Sequence, residues 1–366
     1  MSEYQYYEFQ AIDRPLTEEE QRAVSRLSSR VNPHPRQAIF VYNWSSLPAN
    51  PKQVLASYYD AMYYVANWGT TRLMFRFPQS LIDTRQIEPY CLDDYISCES
   101  SGDYVILEMK QWDEEGYYDW IEGEGTLDGL LPLRDDILQQ DYRALYLAWL
   151  SAIDSSEVSD DTVEPPVPPG LKKLTPALRR FVEAFHLDEA LVNAAAKTSP
   201  DRAPASPSNL RQRIAALPRE TCDEWLLRLA QGEEPHLSLA FRHYLEPSRA
   251  IRQSTQKRRT VGELVTLAEA EKDQLRQQAA AKAEARRIRE LEALAPKAEE
   301  TWTFARQLLE QGYSHYDEVV ELLVKLHDLA IHQGTEEAFE TRLREIRATY
   351  PRRKGLLVRL DEAGLP

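Results

Sequence analysis

The chain has 366 residues, a formal net charge of −15 and three cysteines. The length exceeds the roughly 100–200 residues of one domain, so we expect two or three domains, and so few cysteines exclude a disulfide framework. No apolar run approaches the ~18 residues of a membrane-spanning helix, and the opening residues lack the basic and apolar regions of a signal peptide. We therefore expect a cytoplasmic protein without a membrane partner.

The acidic charge is concentrated in the first part of the chain. Residues 1–153 carry 24 acidic against 12 basic side chains, and residues 154–164 add five acids and no base. Residues 165–366 are nearly balanced, with 30 acids against 32 bases. An acidic surface disfavours non-specific binding to nucleic acid and favours a basic protein partner.

Strands and helices alternate in the first 153 residues. Aromatic and β-branched runs predict strands at 4–12, 37–44 and 70–77. A β-hairpin is predicted for 95–99 and 103–110, because Ser100, Ser101 and Gly102 form a turn signal between two apolar runs. Thr17 and Glu20 form a capping box that predicts a helix reaching about residue 30.

A second helix is predicted to begin at Pro51 and to end at residues 67–69. Its apolar stripe has helical spacing and comprises Val54, Leu55, Tyr58, Tyr59, Met62 and Val65. Five aromatic residues would then crowd this one helix, namely Tyr58, Tyr59, Tyr63, Tyr64 and Trp68. Such a set lines a ligand pocket or, more commonly, belongs to the core and its rim.

These elements predict an α+β fold for residues 1–153, with a mostly antiparallel sheet and helices packed on it, followed by an all-α C-terminal half. Residues 154–170 are acidic and then Pro-rich, which is typical of a linker with little to bury. We expect a small helical domain at 171–257, a long charged helix at 258–295 and a C-terminal helical bundle at 296–366.

The long charged helix admits two interpretations. Leucines at heptad-like spacing near both ends suggest a coiled coil, but the middle of the segment is small or polar, so the apolar seam is interrupted. A single exposed helix, rising ~1.5 Å per residue, would act as a spacer of roughly 50 Å. We expect a spacer, and a monomer or weak oligomer.

Motifs with a known chemical mechanism are absent from the sequence. There is no phosphate-binding Gly-rich loop, no dinucleotide fingerprint, no H-E-x-x-H and no G-x-S-x-G elbow. Cys91 and Cys98 lie seven positions apart without a second cysteine pair, which disfavours a zinc site. The sequence therefore favours a non-enzymatic protein with no catalytic residue, metal or cofactor.

One acidic, aromatic segment is a candidate protein-binding site. Its candidate contact residues are Trp112, Asp113, Glu114, Glu115, Tyr117, Tyr118 and Trp120. The segment suits recognition of a basic peptide, a cation or a sugar; the alternative is a solvated acidic loop whose aromatics cover the edge of the sheet. If the protein is an enzyme of unrecognised type, carboxylates of residues 113–124 would be its catalytic groups.

Two basic clusters are candidates for nucleic-acid binding. Their residues are Arg242, Arg249, Arg252, Lys257, Arg258 and Arg259, and then Arg352, Arg353 and Lys354. These side chains could bind phosphates. The alternatives are a solvated approach to the long helix and, for the second cluster, a role at a helix end.

Four stretches of the sequence together resemble a widespread family of uncharacterised bacterial proteins. They are the opening MSEYQYYEFQAIDRPLT, residues 63–78, the phrase LLRLAQGEEPHL at 226–237, and residues 316–365. The resemblance extends over nearly the whole chain and implies a bacterial, cytoplasmic protein, with an accessory or defence locus as its setting. It implies no activity and no catalytic residues.

The leading hypothesis is an adaptor that bridges protein partners, with an acidic α+β part binding one and the helical part another. The first alternative is a nucleic-acid-associated regulator that uses residues 242–259. The second is the enzyme with carboxylates in 113–124.

Overall fold

A computed structural model describes residues 3–29, 31, 33–112, 123–155, 158–202, 207–232, 236–245 and 258–366. The chain divides into two compact units, Met1–Lys272 and Asp273–Pro366. Among the described residues, no helix combines the length and the hydrophobicity needed to cross a membrane.

The first unit is built on a six-stranded antiparallel sheet. Its strands are β1 (Tyr4–Gln10), β2 (Gln37–Asn43), β3 (Ala61–Ala66), β4 (Thr70–Pro78), β5 (Ile96–Ser101) and β6 (Tyr104–Trp112). They lie in the order β2-β1-β3-β4-β6-β5, and every neighbouring pair is antiparallel. The predicted α+β fold, its antiparallel sheet and the all-helical second half are confirmed.

The predicted helix over residues 51–66 is wrong in its second half. Helix α2 (Pro51–Tyr58) ends early because Tyr59 has an extended backbone, and β3 follows. Tyr63 and Tyr64 are therefore strand residues that point to opposite faces of the sheet, so the five aromatics do not share one helix. The core strand β3 pairs on both sides, with β1 and β4, and this pairing overrides the helical spacing of the apolar residues.

Helices cover both faces of the sheet. One face, here the α2 face, carries Phe9 and Met62 and packs against α1 (Glu18–Ser25) and α2. The predicted capping box of α1 is present. The opposite face, here the α6 face, carries Tyr6 and Leu73 and packs mainly against helical segments. These are α3 (Thr84–Ile87), α4 (Thr126–Leu130), α5 (Pro132–Leu138), α6 (Arg143–Ser155), α7 (Pro176–Ala184) and α8 (Glu189–Ala196).

The segment predicted as a linker is packed where the structure describes it. Glu164 is 2% exposed and forms a two-pronged ion pair with Arg259, with nitrogen–oxygen distances of 2.6 and 2.9 Å. The Tyr146 hydroxyl donates to the same carboxylate. Residues 158–170 therefore have specific contacts with α6 and with the start of the long helix. Helices α7 and α8 also share the core of the sheet.

Between α8 and the long helix, the described residues form three helices: α9 (Pro207–Ala215), α10 (Arg219–Gln231) and α11 (Leu237–Leu245). The long helix α12 (Val261–Leu294) has 34 residues, and its residues 276–287 are all exposed. A long charged helix, predicted for residues 258–295, is thus confirmed. The boundary between the two compact units falls within this helix.

The second unit contains the rest of α12 and four further helices. They are α13 (Ala298–Gln311), α14 (Tyr316–Gln333), α15 (Glu336–Thr349) and α16 (Lys354–Glu362). Their buried core includes Trp302, Leu323, Leu343 and Leu356. Gly334 ends α14 with a φ of 67°, the left-handed conformation that glycine adopts without strain.

Candidate functional site

Five aromatic residues lie at one end of the sheet, here called the aromatic end: Tyr4, Trp44, Trp68, Tyr95 and Trp112. Tyr4 begins β1 and Trp44 follows β2; Trp68 lies in the turn between β3 and β4; Trp112 ends β6, and Tyr95 precedes β5. The strand register places these positions together at the same end. Because neighbouring strands lie ~4.8 Å apart, β2 and β4 are separated by roughly 14 Å across this end.

Two of these tryptophans are unusually exposed. The exposed fraction of Trp44 is 65% and that of Trp68 is 39%. Single exposed apolar residues are normal on protein surfaces, but tryptophan is rarely left in water and is enriched at contact surfaces. Because both lie at the same end of the sheet, this end is the strongest candidate contact surface of the first unit.

The turns that carry these side chains are fixed by hydrogen bonds. The Gln5 side-chain amide donates to the carbonyl of Ser45 at 2.8 Å, directly after Trp44. The Tyr4 backbone N–H donates to Asn67 Oδ1 at 2.9 Å, and the Asn67 N–H donates back to the Tyr4 carbonyl at 3.1 Å. The surface is therefore held in place before any partner arrives, which lowers the entropic cost of binding.

The third tryptophan of this end is held by stacking. Trp112 packs on Tyr95 with ring centroids 4.6 Å apart and an angle of 29° between the rings. Among the predicted protein-binding residues, Trp112 is the one that the structure describes. The others, namely Asp113, Glu114, Glu115, Tyr117, Tyr118 and Trp120, lie outside the described residues. The prediction for them stays untested.

The two residues that flank segment 113–122 both lie near the aromatic end. Trp112 is the last residue of β6, and Gly123 lies against the ring of Tyr6. A Cβ atom on Gly123 would lie 2.4 Å from Tyr6 Cδ1, so this approach requires glycine.

One exposed carboxylate, that of Glu124, acts on the aromatic end, and a second, that of Glu8, is buried further along β1. Burial, and then the exposed Glu124 carboxylate, raise the pKa of Tyr4. Glu8 is completely buried, and it accepts hydrogen bonds from the Tyr6 hydroxyl at 3.0 Å and from the side-chain amides of Gln10 and Gln37 at 3.1 and 2.7 Å. No described Lys or Arg forms an ion pair with Glu8. The buried Glu8 carboxylate is therefore not a contact for a partner, and the exposed Glu124 carboxylate is the group that adds negative charge beside Tyr4.

Two of the predicted nucleic-acid-binding residues, Arg259 and Arg353, have contacts within the protein. Arg259 is committed to the ion pair with Glu164. The Arg353 guanidinium donates to the carbonyl of Leu309 and lies 4.2 Å from the centroid of the Tyr350 ring. Both arginines therefore have structural contacts. The exposed members of the predicted set are Arg242, Arg258, Arg352 and Lys354, while Arg249, Arg252 and Lys257 lie outside the described residues.

A cleft of about 490 Å³ also opens in the first unit. Its polar lining residues are Ser80, Asp83, Arg85, Gln140, Tyr142 and His243, and its apolar ones are Leu81, Ile82, Ile137 and Leu138. The Asp83 carboxylate accepts from Arg85 and Gln86. His243 Nε2 lies 2.7 Å from the Leu138 carbonyl, to which it donates. The Asp83 carboxylate and the His243 ring are thus both hydrogen-bonded within the protein.

A second exposed apolar surface lies on α10. Leu226, Leu227 and Leu229 have exposed fractions of 59%, 60% and 61%, and the helix has no buried residue. It is held instead by Trp225, whose ring lies 4.9 Å from Phe241 on α11. Leu226 and Leu229, three positions apart, share one face of the helix, whereas Leu227 lies on another. Exposed apolar patches are typical of surfaces that bind other proteins.

Comparisons of the chain with models of known protein families, with curated proteins and with solved structures give no match. The assignment of the aromatic end as a contact surface therefore depends on the geometry described above. Sequence reasoning missed Trp44, which it assigned to a strand end, and it named Trp68 only within an aromatic set on a predicted helix. Recognising residues 61–66 as a strand would have placed both residues at one end of an antiparallel sheet.

Proposed function

We propose that the protein is a non-enzymatic adaptor that bridges other proteins, and that the aromatic end binds one of them. The observation that carries the proposal is the exposure of Trp44 and Trp68 on fixed turns at the same end of the sheet. Tryptophan supplies a large, rigid contact area and is enriched at the energetic centres of protein interfaces. Following the family resemblance, the setting is the bacterial cytoplasm.

Bridging requires a second contact surface, and the exposed leucines of α10 supply one of different chemistry. The aromatic end has the exposed Glu124 carboxylate beside it, whereas Leu226 and Leu229 offer aliphatic surface on one face of α10. Two surfaces of different character bind two different partners, because each excludes the other's ligand by its charge or shape.

The test is affinity capture with the full-length chain followed by mass spectrometry. Three versions are compared: the natural chain, a Trp44→Ala/Trp68→Ala variant, and a Leu226→Glu/Leu229→Glu variant. We expect each double variant to lose a different protein while it retains the other. Tyr313→Ala is the matched control, since Tyr313 is 85% exposed and lies in the second unit.

Bridging itself is measured with the two captured proteins in purified form. We expect them to co-migrate in gel filtration only when the natural chain is present. If both double variants capture the same proteins as the natural chain, the adaptor proposal is wrong. A low-salt gel shift that depends on Arg242 and Arg258 would instead support the nucleic-acid alternative, since such binding weakens steeply with salt.

A further inference from the structure

Strand β2 forms one edge of the sheet, and its outer side has no partner strand among the described residues. It pairs with β1 over Gln37–Asn43, and no other described strand pairs with it. Edge strands present a row of backbone N–H and C=O groups on which another strand can pair.

The hydrogen-bond pattern shows which groups of β2 point outward. The Ala11 N–H donates to the Arg36 carbonyl, whereas Gln37 exchanges both of its backbone hydrogen bonds with His34. In an antiparallel pair, alternate residues bond to the partner strand. Ala38, Phe40 and Tyr42 therefore bond to β1, and the N–H and C=O groups of Ile39, Val41 and Asn43 point away from it. No described backbone group is bonded to these outward groups.

The edge lacks the usual protections against pairing. Natural edge strands are commonly interrupted by lysine, proline or a bulge. The β2 sequence QAIFVYN contains no charged residue and no proline, and its register with β1 is continuous without a bulge. The side chains of Ile39 and Val41 are half-buried on the α6 face, where they flank the position of an added strand. Trp44 lies immediately beyond the end of this edge.

We propose that an extended, basic segment of a partner protein pairs with β2 and adds a strand to the sheet. The inference rests on the proposed function and names how that partner is held. Outward backbone groups supply affinity, and alternate side chains of the added strand pack beside Ile39 and Val41, which favours valine or isoleucine there. Trp44 then contacts the chain as it leaves the edge.

Charge decides between a basic partner and a second copy of this chain. Residues 1–153 carry 24 acids against 12 bases, so two copies repel one another when their edges meet. The exposed Glu124 and Asp128 carboxylates lie on the α6 face near β1, and Asp128 Oδ1 is 2.5 Å from the Gln10 amide. Lysine or arginine between the apolar positions of the added strand points to the opposite face of the sheet. It is therefore attracted by the net acidity of residues 1–153 and not by direct contact with these two carboxylates.

The probe is a synthetic peptide of about eight residues that alternates valine and lysine, a length typical of a strand. Binding to the full-length chain is measured by titration calorimetry. Two matched peptides separate the contributions of backbone pairing and of charge to the binding. One is N-methylated throughout its backbone and cannot pair as a strand, and the other carries glutamate in place of lysine. We expect the first peptide to bind and each matched peptide to bind at least about tenfold more weakly.

Protein variants locate the binding at the β2 edge. Val41→Pro removes an outward N–H but leaves the β1 ladder intact, because that group does not bond to β1. Val41→Thr keeps both the N–H and the branched shape. We expect Val41→Pro to weaken peptide binding at least about tenfold and Val41→Thr to leave it nearly unchanged. Circular dichroism checks that both variants remain folded.

Three results overturn strand addition. The first is no peptide binding at concentrations up to about 1 mM. The second is equal binding of the N-methylated peptide, or equal binding to Val41→Pro. The third is a dimer in sedimentation velocity that Val41→Pro dissociates, because the occupant is then a second copy. Should peptide binding survive Val41→Pro but disappear in Trp44→Ala/Trp68→Ala, the aromatic end still binds protein and only the strand mechanism fails.

Discussion

Replacing Arg259 with methionine would leave the carboxylate of Glu164 buried without its cation. Glu164 is 2% exposed, and its two oxygens receive hydrogen bonds from Arg259 at 2.6 and 2.9 Å. The Tyr146 hydroxyl is the remaining donor to the carboxylate. The methionine side chain fills much of the same space, so the change removes charge and hydrogen bonds more than it removes packing.

The magnitude follows from the cost of an unpaired buried charge. Breaking a buried ion pair by removing one partner typically destabilises a protein by about 3–5 kcal/mol. Arg259 is partly exposed, at 12% of its side chain, and Tyr146 still donates, so we expect about 3 kcal/mol. Adding Glu164→Gln removes the stranded charge, so the double variant Glu164→Gln/Arg259→Met should recover about half of the loss.

The assay is urea unfolding followed by tryptophan fluorescence. Six of the seven tryptophans precede residue 273, so the signal reports mainly on the first unit. The matched control is Arg258→Met, which removes an exposed arginine at the adjacent position and should change the free energy of unfolding by less than about 0.5 kcal/mol. If Arg259→Met costs no more than Arg258→Met, the ion pair does not hold the segment of residues 158–170 as described.

Three further predictions test other parts of the first unit. In hydrogen exchange followed by NMR, the amides of Ala38 and Phe40 should be protected and those of Ile39 and Val41 should exchange rapidly, because only the first pair bonds to β1; equal protection would contradict an open edge. Tyr59→Phe should change the free energy of unfolding by less than about 0.5 kcal/mol, because the buried Tyr59 hydroxyl has no partner among the described residues. Tyr90→Phe should lower the free energy of unfolding by about 1 kcal/mol, because the Tyr90 hydroxyl donates to the Pro166 carbonyl at 2.8 Å. Burial raises the pKa of Asp13, but hydrogen bonds and charges from His236 and Arg134 hold this pKa at about 2, below its usual 3.8. Ionised Asp13 therefore stabilises the fold above about pH 4, and this stabilisation is lost as the pH falls through about 2. The stability difference between the natural chain and Asp13→Asn should therefore shrink over that window in acid unfolding, and a constant difference would refute the assignment.

Local signals in the sequence were sufficient for much of the fold. The capping box of Thr17 and Glu20 depends on residues three positions apart, and the structure contains it. The hairpin turn needs a residue that accepts positive φ, and Gly102 has a φ of 61°. The long exposed helix follows from composition alone, because its middle has few apolar side chains to bury. Each of these features is determined by neighbours in the chain.

Features that depend on contacts between residues far apart in the sequence were decided by the tertiary structure. Residues 61–66 fit a helix or a strand by local preference, and their pairing with both β1 and β4 selects the strand. That choice, in turn, brings Trp44 and Trp68 to one end of the sheet. Arg258 and Arg259 are adjacent and of the same residue type, yet Arg259 is the one that binds Glu164, 95 positions away. The physical reason is that pairing and burial of charge depend on contacts that only the folded chain brings together.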